Sequence, residues 1–316
     1  MARRLLFLFL CLSLAATAAA EPPHAVAITF DDLPYAAVPS EDDAQLEAMT
    51  ERLLHGLQSE QVPAVGFVNE AKLYREGTLD PKRVGLLRRW LAAGFELGNH
   101  TYSHLSLDRS GLDAFEADLL QGEIVTRLLM QSTGKTLRWF RHPFLHRGTT
   151  PEVRRQFQAF LAAHGYTVAP VTVNGGEWIF AAAYAHALSE GDEDAARRIG
   201  AAYVPYMQAV LAQAEQLALD LFGRPISQVM VLHANTLNAD HFAALAAMLK
   251  QRGYRFISLD DALRDSAYAS PLGSSTLEGE SWLQGWAREA GLRPPAEPPI
   301  PGFVTQWAGT ASLKGY

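Results

Sequence analysis

The sequence predicts an α/β fold, a β/α barrel in which parallel strands alternate with helices. Hydrophobic runs and helix-like patterns alternate along most of the 316 residues, and this order is typical of a parallel sheet with right-handed crossovers. Ionisable residues also follow three of the predicted strands, namely Asp31 and Asp32, His100 and His104, and His233. A barrel gathers the carboxyl ends of its strands on one face, so we expect these side chains to form one site.

Each predicted strand is a short hydrophobic run bounded by polar or turn-forming residues. In chain order the strands are predicted at residues 25–30, 62–68, 95–97, 137–140, 166–173, 229–232 and 254–258. Helices are predicted where apolar residues recur at helical spacing. They cover residues 42–58, 83–93, 111–133, 151–164 and 239–253.

Two segments depart from this alternation. The alanine-rich stretch at residues 178–226 is long for a single crossover and has an acidic turn at residues 191–194, so it predicts two helices beside the site. From about Pro271 the chain is rich in Gly, Ser and Pro, which predicts a tail wrapped over the domain. Three tryptophans indicate that parts of this tail pack down: Trp282, Trp286 and Trp307.

The first 20 residues are expected to be a secretory signal peptide. Arg3 and Arg4 form a basic start, residues 5–14 a short apolar run, and residues 18–20 a small-residue cleavage site. The apolar run is shorter than the roughly 20 residues of a spanning helix, so cleavage is favoured over a membrane anchor. The one cysteine, Cys11, lies in this segment. A mature chain without disulfides fits a periplasmic or extracellular location.

Composition limits the classes of partner. The formal net charge of −7 argues against nucleic acid, since binding phosphates needs clustered basic surface. After signal cleavage no segment of the sequence has the length and apolarity of a membrane span. We therefore expect a signal peptide at residues 1–20, a catalytic domain at 21–270 and a wrapping tail at 271–316.

The ionisable residues have both an ordinary and a chemical interpretation. An Asp pair after a strand could simply cap a helix, and His100-x-x-x-His104 lacks the glutamate of the zincin pattern. Taken together, however, one carboxylate and two neutral imidazoles are a common ligand set for catalytic zinc, with a position left for water. The second aspartate would then be free to act as a base.

Four ordered motifs resemble those of the polysaccharide deacetylases, carbohydrate esterase family four, which share the NodB homology domain. They are Thr29–Asp32, His100–His104, Arg141–Phe144 and Met230–His233, and the resemblance runs from about residue 25 to 263. It implies the irregular β/α barrel of that family.

The resemblance also implies roles for the motif residues. Asp32, His100 and His104 would hold one divalent metal, with zinc as the first choice, and Asp31 would be the general base. Arg141 would pair with Asp31 and hold its pKa low.

Two further roles concern the leaving group and the oxyanion. His233, as an imidazolium, would protonate the leaving amine, and the backbone N–H of Phe144 would help to hold the oxyanion.

A further motif, the fourth of five in chain order because it precedes Met230–His233, departs from the family. Where the family pattern is Asp-x-x-Asp-Trp, this chain has Asn174-Gly175-Gly176-Glu177-Trp178. Glu177 is expected to orient and charge His233 if the cleft accommodates its extra methylene, and Asn174 is given less weight. Trp178 either walls the substrate groove or packs in the core. His142 and His146 are expected at surface or hydrogen-bonded positions outside the site.

These interpretations predict an exported, metal-dependent hydrolase that removes N- or O-acetyl groups from a carbohydrate. The candidate substrates are chitin oligomers, peptidoglycan, acetylated xylan and exopolysaccharide. One alternative is a glycan-binding protein that keeps the metal but has lost turnover. Another is a hydrolase of a small amide, because the helical segment after Trp178 could close an open groove into a pocket.

Overall fold

The computed structural model of the protein describes residues 24–271 and 279–309. The predicted signal peptide, with Cys11, therefore lies outside the described residues. The strands are β1 Ala25–Leu33, β2 Ala64–Val68, β3 Tyr74–Arg75, β4 Thr78–Leu79, β5 Glu96–Asn99, β6 Trp139–Phe140, β7 Thr167–Val168, β8 Gln228–His233 and β9 Arg255–Phe256.

Helices surround this sheet and connect most of its strands. They are α1 Asp43–Ser59, α2 Pro81–Ala92, α3 Leu107–Ser110, α4 Leu112–Gln121, α5 Ile124–Ser132, α6 Pro151–Ala163, α7 Glu177–Ser189, α8 Glu193–Phe222, α9 Thr236–Gln251, α10 Leu259–Ala262, α11 Trp282–Glu289 and α12 Gly302–Ala308. Short 3₁₀ turns add Glu70–Leu73, Pro143–Leu145 and Ser266–Ala269. No described helix combines the length and the apolarity that crossing a membrane requires.

The main sheet is parallel and curls into an irregular barrel. Its strand order is β7-β6-β5-β2-β1-β8, and β9 also pairs with β1, while β3 and β4 form a separate hairpin. Val173, which follows β7 in the sequence, forms a parallel bridge with Met230 on β8. The expectation of an α/β barrel is therefore confirmed.

The central strand is buried along its whole length. All nine residues of β1 are buried, because helices cover the sheet, as is usual for parallel sheets. Phe30 packs edge-on against Trp90, with ring centroids 5.5 Å apart, and it also contacts Phe242. This packing fixes the strand whose end carries Asp31 and Asp32.

The long helix predicted at residues 111–133 is wrong, because the chain breaks into α4 and α5 at Gly122. A Cβ at Gly122 would lie 2.4 Å from the backbone of Thr101 and Tyr102, so only glycine allows this close approach. The break also lets the buried carboxylate of Glu70 accept hydrogen bonds from the first N–H groups of α5. Tertiary contacts therefore override the local helical pattern here.

The other two irregular segments contain helices. Residues 178–226 supply α8 and most of α7, which begins at Glu177. In the described part of the tail, Trp282 and Trp286 are buried, and α12 packs against α7. The C-terminal segment therefore packs on the helices that follow the fourth motif.

Candidate active site

The register of the strands brings the predicted site residues to one end of the barrel. Asp31 on β1 is the direct pairing partner of His233 on β8. The N–H of His100, just after β5, donates to the carbonyl of Val68 at the end of β2, and that of Arg141, just after β6, donates to Asn99. Residues far apart in sequence therefore meet at the carboxyl ends of neighbouring strands, as a barrel requires.

Asp32, His100 and His104 form a group that could hold a metal ion. One ligand atom from each lies within 4.8 Å of the other two. The Asp32 Oδ1 atom is 3.8 Å from His100 Nε2 and 3.6 Å from His104 Nε2. Asp32 has a φ of 66° and His104 a φ of 57°, so both backbones adopt the left-handed conformation that non-glycine residues seldom occupy.

The chemistry of these atoms fits a divalent cation. Asp32 Oδ1 is buried and accepts no hydrogen bond among the described residues, although such atoms are normally paired. His100 Nδ1 lies 2.8 Å from the carbonyl oxygen of Arg141. If Nδ1–H donates there, the lone pair of Nε2 faces Asp32, which is the usual arrangement for a metal-ligating histidine.

The protonation states agree with this fit. Burial lowers the pKa of His100 and of His104 to about 4, although Asp32 opposes the shift. Burial alone would raise the pKa of Asp32, but Lys72 and the two imidazoles outweigh it, so that pKa is lowered. Near neutral pH the group therefore presents one carboxylate and two neutral imidazoles.

Asp31 lies beside the ligand group and is held by Arg141. The guanidinium Nη1 of Arg141 lies 3.3 Å from both carboxylate oxygens of Asp31, and its Nη2 donates to Thr29 Oγ1 at 2.9 Å. Burial nevertheless raises the pKa of Asp31, and Arg141 opposes that shift only in part. The expected pairing of Asp31 with Arg141 is present, and burial of both partners opposes the lowering of the Asp31 pKa that Arg141 causes.

Glu177, which stands where the family pattern has its second aspartate, contacts His233. Its Oε2 lies 2.6 Å from His233 Nδ1, and its Oε1 accepts hydrogen bonds of 2.7 Å from the side chains of Asn235 and Asn238. Burial opposes a charge on His233, but the charge and hydrogen bond of Glu177 raise the pKa of the imidazole to about 9. His233 is therefore a cation near neutral pH and can donate a proton.

A cavity of about 460 Å³ opens beside these groups, within the range of about 300–1,000 Å³ found for small-ligand sites. Its wall includes Phe144 and Trp178. The ring of Phe144 lies 4.4 Å from that of His104, between centroids. Of the two interpretations of Trp178, the cavity wall is therefore the one that its position favours.

Two residues at the site, Lys72 and Asn235, were not predicted from the sequence. Lys72, from a 3₁₀ turn, has its Nζ 3.7 Å from Asp32 Oδ2 and donates to the carbonyls of Asp32 and Tyr35. Asn235 resembles an ordinary helix cap, and its side chain does cap α9. The position of Asn235, two residues after His233, was the one feature of the sequence that hinted at its contact with the site.

The remaining residues of the third and fourth motifs lie around the cavity. Asn174 lines it and donates from its side chain to the carbonyl of Gly279 at 2.7 Å. His142 and His146 are both buried. His146 Nδ1 lies 2.7 Å from Ser106 Oγ, as expected for a hydrogen-bonded position, whereas His142 Nδ1 has no partner among the described residues.

Comparison with known proteins places the chain among related sequences and folds. Residues 18–169 match the family model described as "Polysaccharide deacetylase". The match covers the first three motifs, whereas Glu177 and His233 lie beyond it.

Solved structures share the fold at low sequence identity. A mutant of BA3943, a carbohydrate esterase family 4 pseudoenzyme of Bacillus anthracis, is 15% identical with a TM-score of 0.50, covering 76% of this chain and 67% of that one. The Bc1960 peptidoglycan N-acetylglucosamine deacetylase is 18% identical with a TM-score of 0.50, covering 75% and 87%. A family 4 carbohydrate esterase of Streptomyces lividans is 20% identical with a TM-score of 0.46, covering 76% and 95%.

Proposed function

We propose that this protein is a metal-dependent hydrolase that removes acetyl groups from a carbohydrate, since residues 18–169 match the polysaccharide deacetylase family model. One observation carries the proposal. A carboxylate, Asp31, and a cationic imidazole, His233, line the same cavity as the Asp-His-His group, and each has a buried charged partner of its own. Such a pair can supply a general base and a general acid to a substrate bound there.

Asp32, His100 and His104 would hold the metal, and zinc suits their ligand types. A divalent ion there would lower the pKa of a water molecule and polarise the acetyl carbonyl.

Asp31 acts as the base. Its carboxylate takes a proton from the attacking water, whose oxygen bonds to the acyl carbon. Arg141 fixes the carboxylate in place through Nη1.

His233 acts as the acid. Its Nδ1 is engaged by Glu177, so the proton that His233 gives to the nitrogen or oxygen departing from the acyl carbon comes from Nε2–H. The bond between the acyl carbon and that atom breaks, and acetate and the free amine or hydroxyl are released. The backbone N–H of Phe144 is proposed to donate to the oxyanion, and Trp178 to contact the sugar.

We also propose that the protein works outside the cytoplasm. The basis is its N-terminal sequence, with Arg3 and Arg4 before an apolar run. Acetylated glycans of cell walls and extracellular polymers would then be within its reach.

The test is acetate release by the purified mature protein with added zinc or cobalt. The panel contains acetylated chitin oligomers, peptidoglycan, xylan and exopolysaccharide, together with a small aryl acetamide. Release that is lost on chelation and restored by metal supports the proposal. Binding of a glycan without release from any substrate favours the binding-protein alternative, and release from the small amide alone favours the small-molecule one.

A further inference from the structure

The cavity at the candidate site is completed by the C-terminal segment, residues 279–309. Gly279 and Glu297 of this segment line it together with Asp32, His104 and Trp178. Both residues lie outside the part of the chain that matches the family model. Part of the wall that a substrate would contact is therefore built by sequence beyond the family motifs.

The start of the segment is fixed to two of the motif loops. The N–H of Gly279 donates to the carbonyl oxygen of Phe144 at 3.2 Å, and the side chain of Asn174 donates to the carbonyl of Gly279. The next residue, Glu280, is buried and lies 3.2 Å from Arg147 Nη2. A buried ion pair requires both partners in place, so this part of the wall has a defined position.

The stretch that carries Glu297 is fixed as well. The side chain of Gln213 on α8 donates to the carbonyl oxygen of Ala296 at 2.9 Å. Ile300 packs closely on Gly176. A Cβ added to Gly176 would lie only 2.5 Å from Ile300 Cδ1. The fourth motif and the tail are thus in direct contact, and Glu297 is held at the cavity between these two anchor points.

Glu297 presents an acceptor that the protein does not use. Its side chain is exposed, and its carboxylate has no hydrogen bond or ion pair within residues 24–271 and 279–309. Its charge is felt by Tyr206, whose pKa is raised by burial and by Glu297. Partial desolvation by the surrounding chain raises the pKa of Glu297. A carboxylate so placed accepts hydrogen bonds strongly, since bonds to charged groups are about twice as strong as neutral ones.

We infer that Glu297 is a substrate-binding residue that accepts hydrogen bonds from the hydroxyl groups of a sugar unit beside the acetylated one. This inference rests on the proposed function. It makes the C-terminal segment part of the glycan site. An oligosaccharide fills more of this cavity than a small acetyl compound does, so loss of Glu297 should affect the oligosaccharide more.

The experiment compares Glu297→Ala and Glu297→Gln with wild type and with Glu289→Gln, an exposed glutamate on the same segment that is not part of the cavity wall. Two activities are measured, kcat/KM for the acetylated oligosaccharide of the panel that reacts fastest and kcat/KM for 4-nitrophenyl acetate. Affinity for a trimer of N-acetylglucosamine is measured separately by calorimetry on the zinc-loaded protein. Thermal unfolding checks that each variant is folded.

Glu297→Ala should lower kcat/KM for the oligosaccharide by about 10- to 100-fold, the loss expected for a hydrogen bond to a charged group. Aryl acetate hydrolysis and Glu289→Gln should stay within about twofold of wild type. Glu297→Gln should lose less than Glu297→Ala, because the amide oxygen still accepts. Equal losses for both substrates, or no loss for either, would refute the inference. Equal losses in Glu297→Gln and Glu297→Ala would also contradict it, because they would indicate that Glu297 binds an ammonium group and not hydroxyls.

Calorimetry separates this inference from the proposed function. If wild type releases no acetate but binds the trimer, and Glu297→Ala weakens binding, the hydrolase proposal fails while the role of Glu297 stands. If Glu297→Ala binds the trimer as tightly as wild type, or wild type binds no trimer and cleaves no oligosaccharide, the inference fails.

Discussion

Replacing Glu177 with glutamine removes the negative charge beside His233 while almost preserving the shape of the side chain. Glu177 is 1% exposed, and its Oε2 lies 2.6 Å from His233 Nδ1. Burial alone lowers the pKa of His233, and the value of about 9 depends mainly on Glu177. In Glu177→Gln the pKa should therefore fall to the ordinary histidine value of about 6.5 or below.

The size of the effect follows from the charged fraction of His233. With a pKa of about 9, roughly nine-tenths of the imidazole is protonated at pH 8, but only about 3% is protonated with a pKa of about 6.5. If the cation is the acid, Glu177→Gln should lose about 30-fold in kcat/KM at pH 8 and less than about twofold at pH 5.5.

The assay is a pH profile of kcat/KM from pH 5 to 10 with zinc in excess. Glu190→Gln is a matched control, since Glu190 ends the same helix and its side chain is 64% exposed. The basic limb of wild type should lie near pH 9 and that of Glu177→Gln near or below 6.5. A variant whose basic limb stays near pH 9 would show that another group, and not the Glu177–His233 pair, is the acid.

Stability should follow the same linkage. The folded-state pKa of His233 is raised, so its contribution is complete below the unfolded value of about 6.5 and is lost as pH rises through about 9. In metal-free protein the stability advantage of wild type over Glu177→Gln should therefore shrink across that interval, by on the order of 3 kcal/mol. Urea unfolding at several pH values measures it, and a constant difference would contradict the assigned charge.

The remaining predictions concern the metal group, the base and the fold. His100→Ala and His104→Ala should each remain folded but lose bound zinc in elemental analysis, and full zinc content in both would contradict the ligand assignment. Asp31→Asn should keep zinc and lose about 10²–10⁴-fold in turnover, whereas Asp32→Asn should lose zinc and activity together; an Asp31→Asn variant as fast as wild type would exclude Asp31 as the base. Glu70→Gln should lower stability by about 1–3 kcal/mol in thermal or urea unfolding, because one of the two N–H groups at the start of α5 loses its acceptor, and an unchanged midpoint would show that water replaces it.

Local patterns were sufficient for most of the elements and for the position of the site at the strand ends. Alternating hydrophobic runs and helical periodicity predicted the parallel barrel, because the buried side chains of a strand or of a helix face recur at a fixed spacing in the sequence. The motifs at the strand ends then pointed to Asp31, Asp32 and His233 as neighbours. The structure brings them together because parallel strands end on the same face.

Other features depend on contacts between residues distant in sequence. The break at Gly122 follows from the approach of the Thr101–Tyr102 backbone, which no periodicity within residues 111–133 could reveal. The pKa of Asp31 is set by its burial as much as by Arg141. Burial at this depth is a property of the packed barrel.

The fold class, the resemblance to the polysaccharide deacetylases and the types of groups at the site could all be predicted from local pattern and motifs. The contact between Glu177 and His233 could not, because that distance depends on where α7 begins relative to the end of β8. The tertiary structure also brought Glu297, which is 120 residues further along the chain than Glu177, into the same cavity. Pattern and composition record the local requirements of strands and helices, whereas the walls of a site are set by how those elements pack.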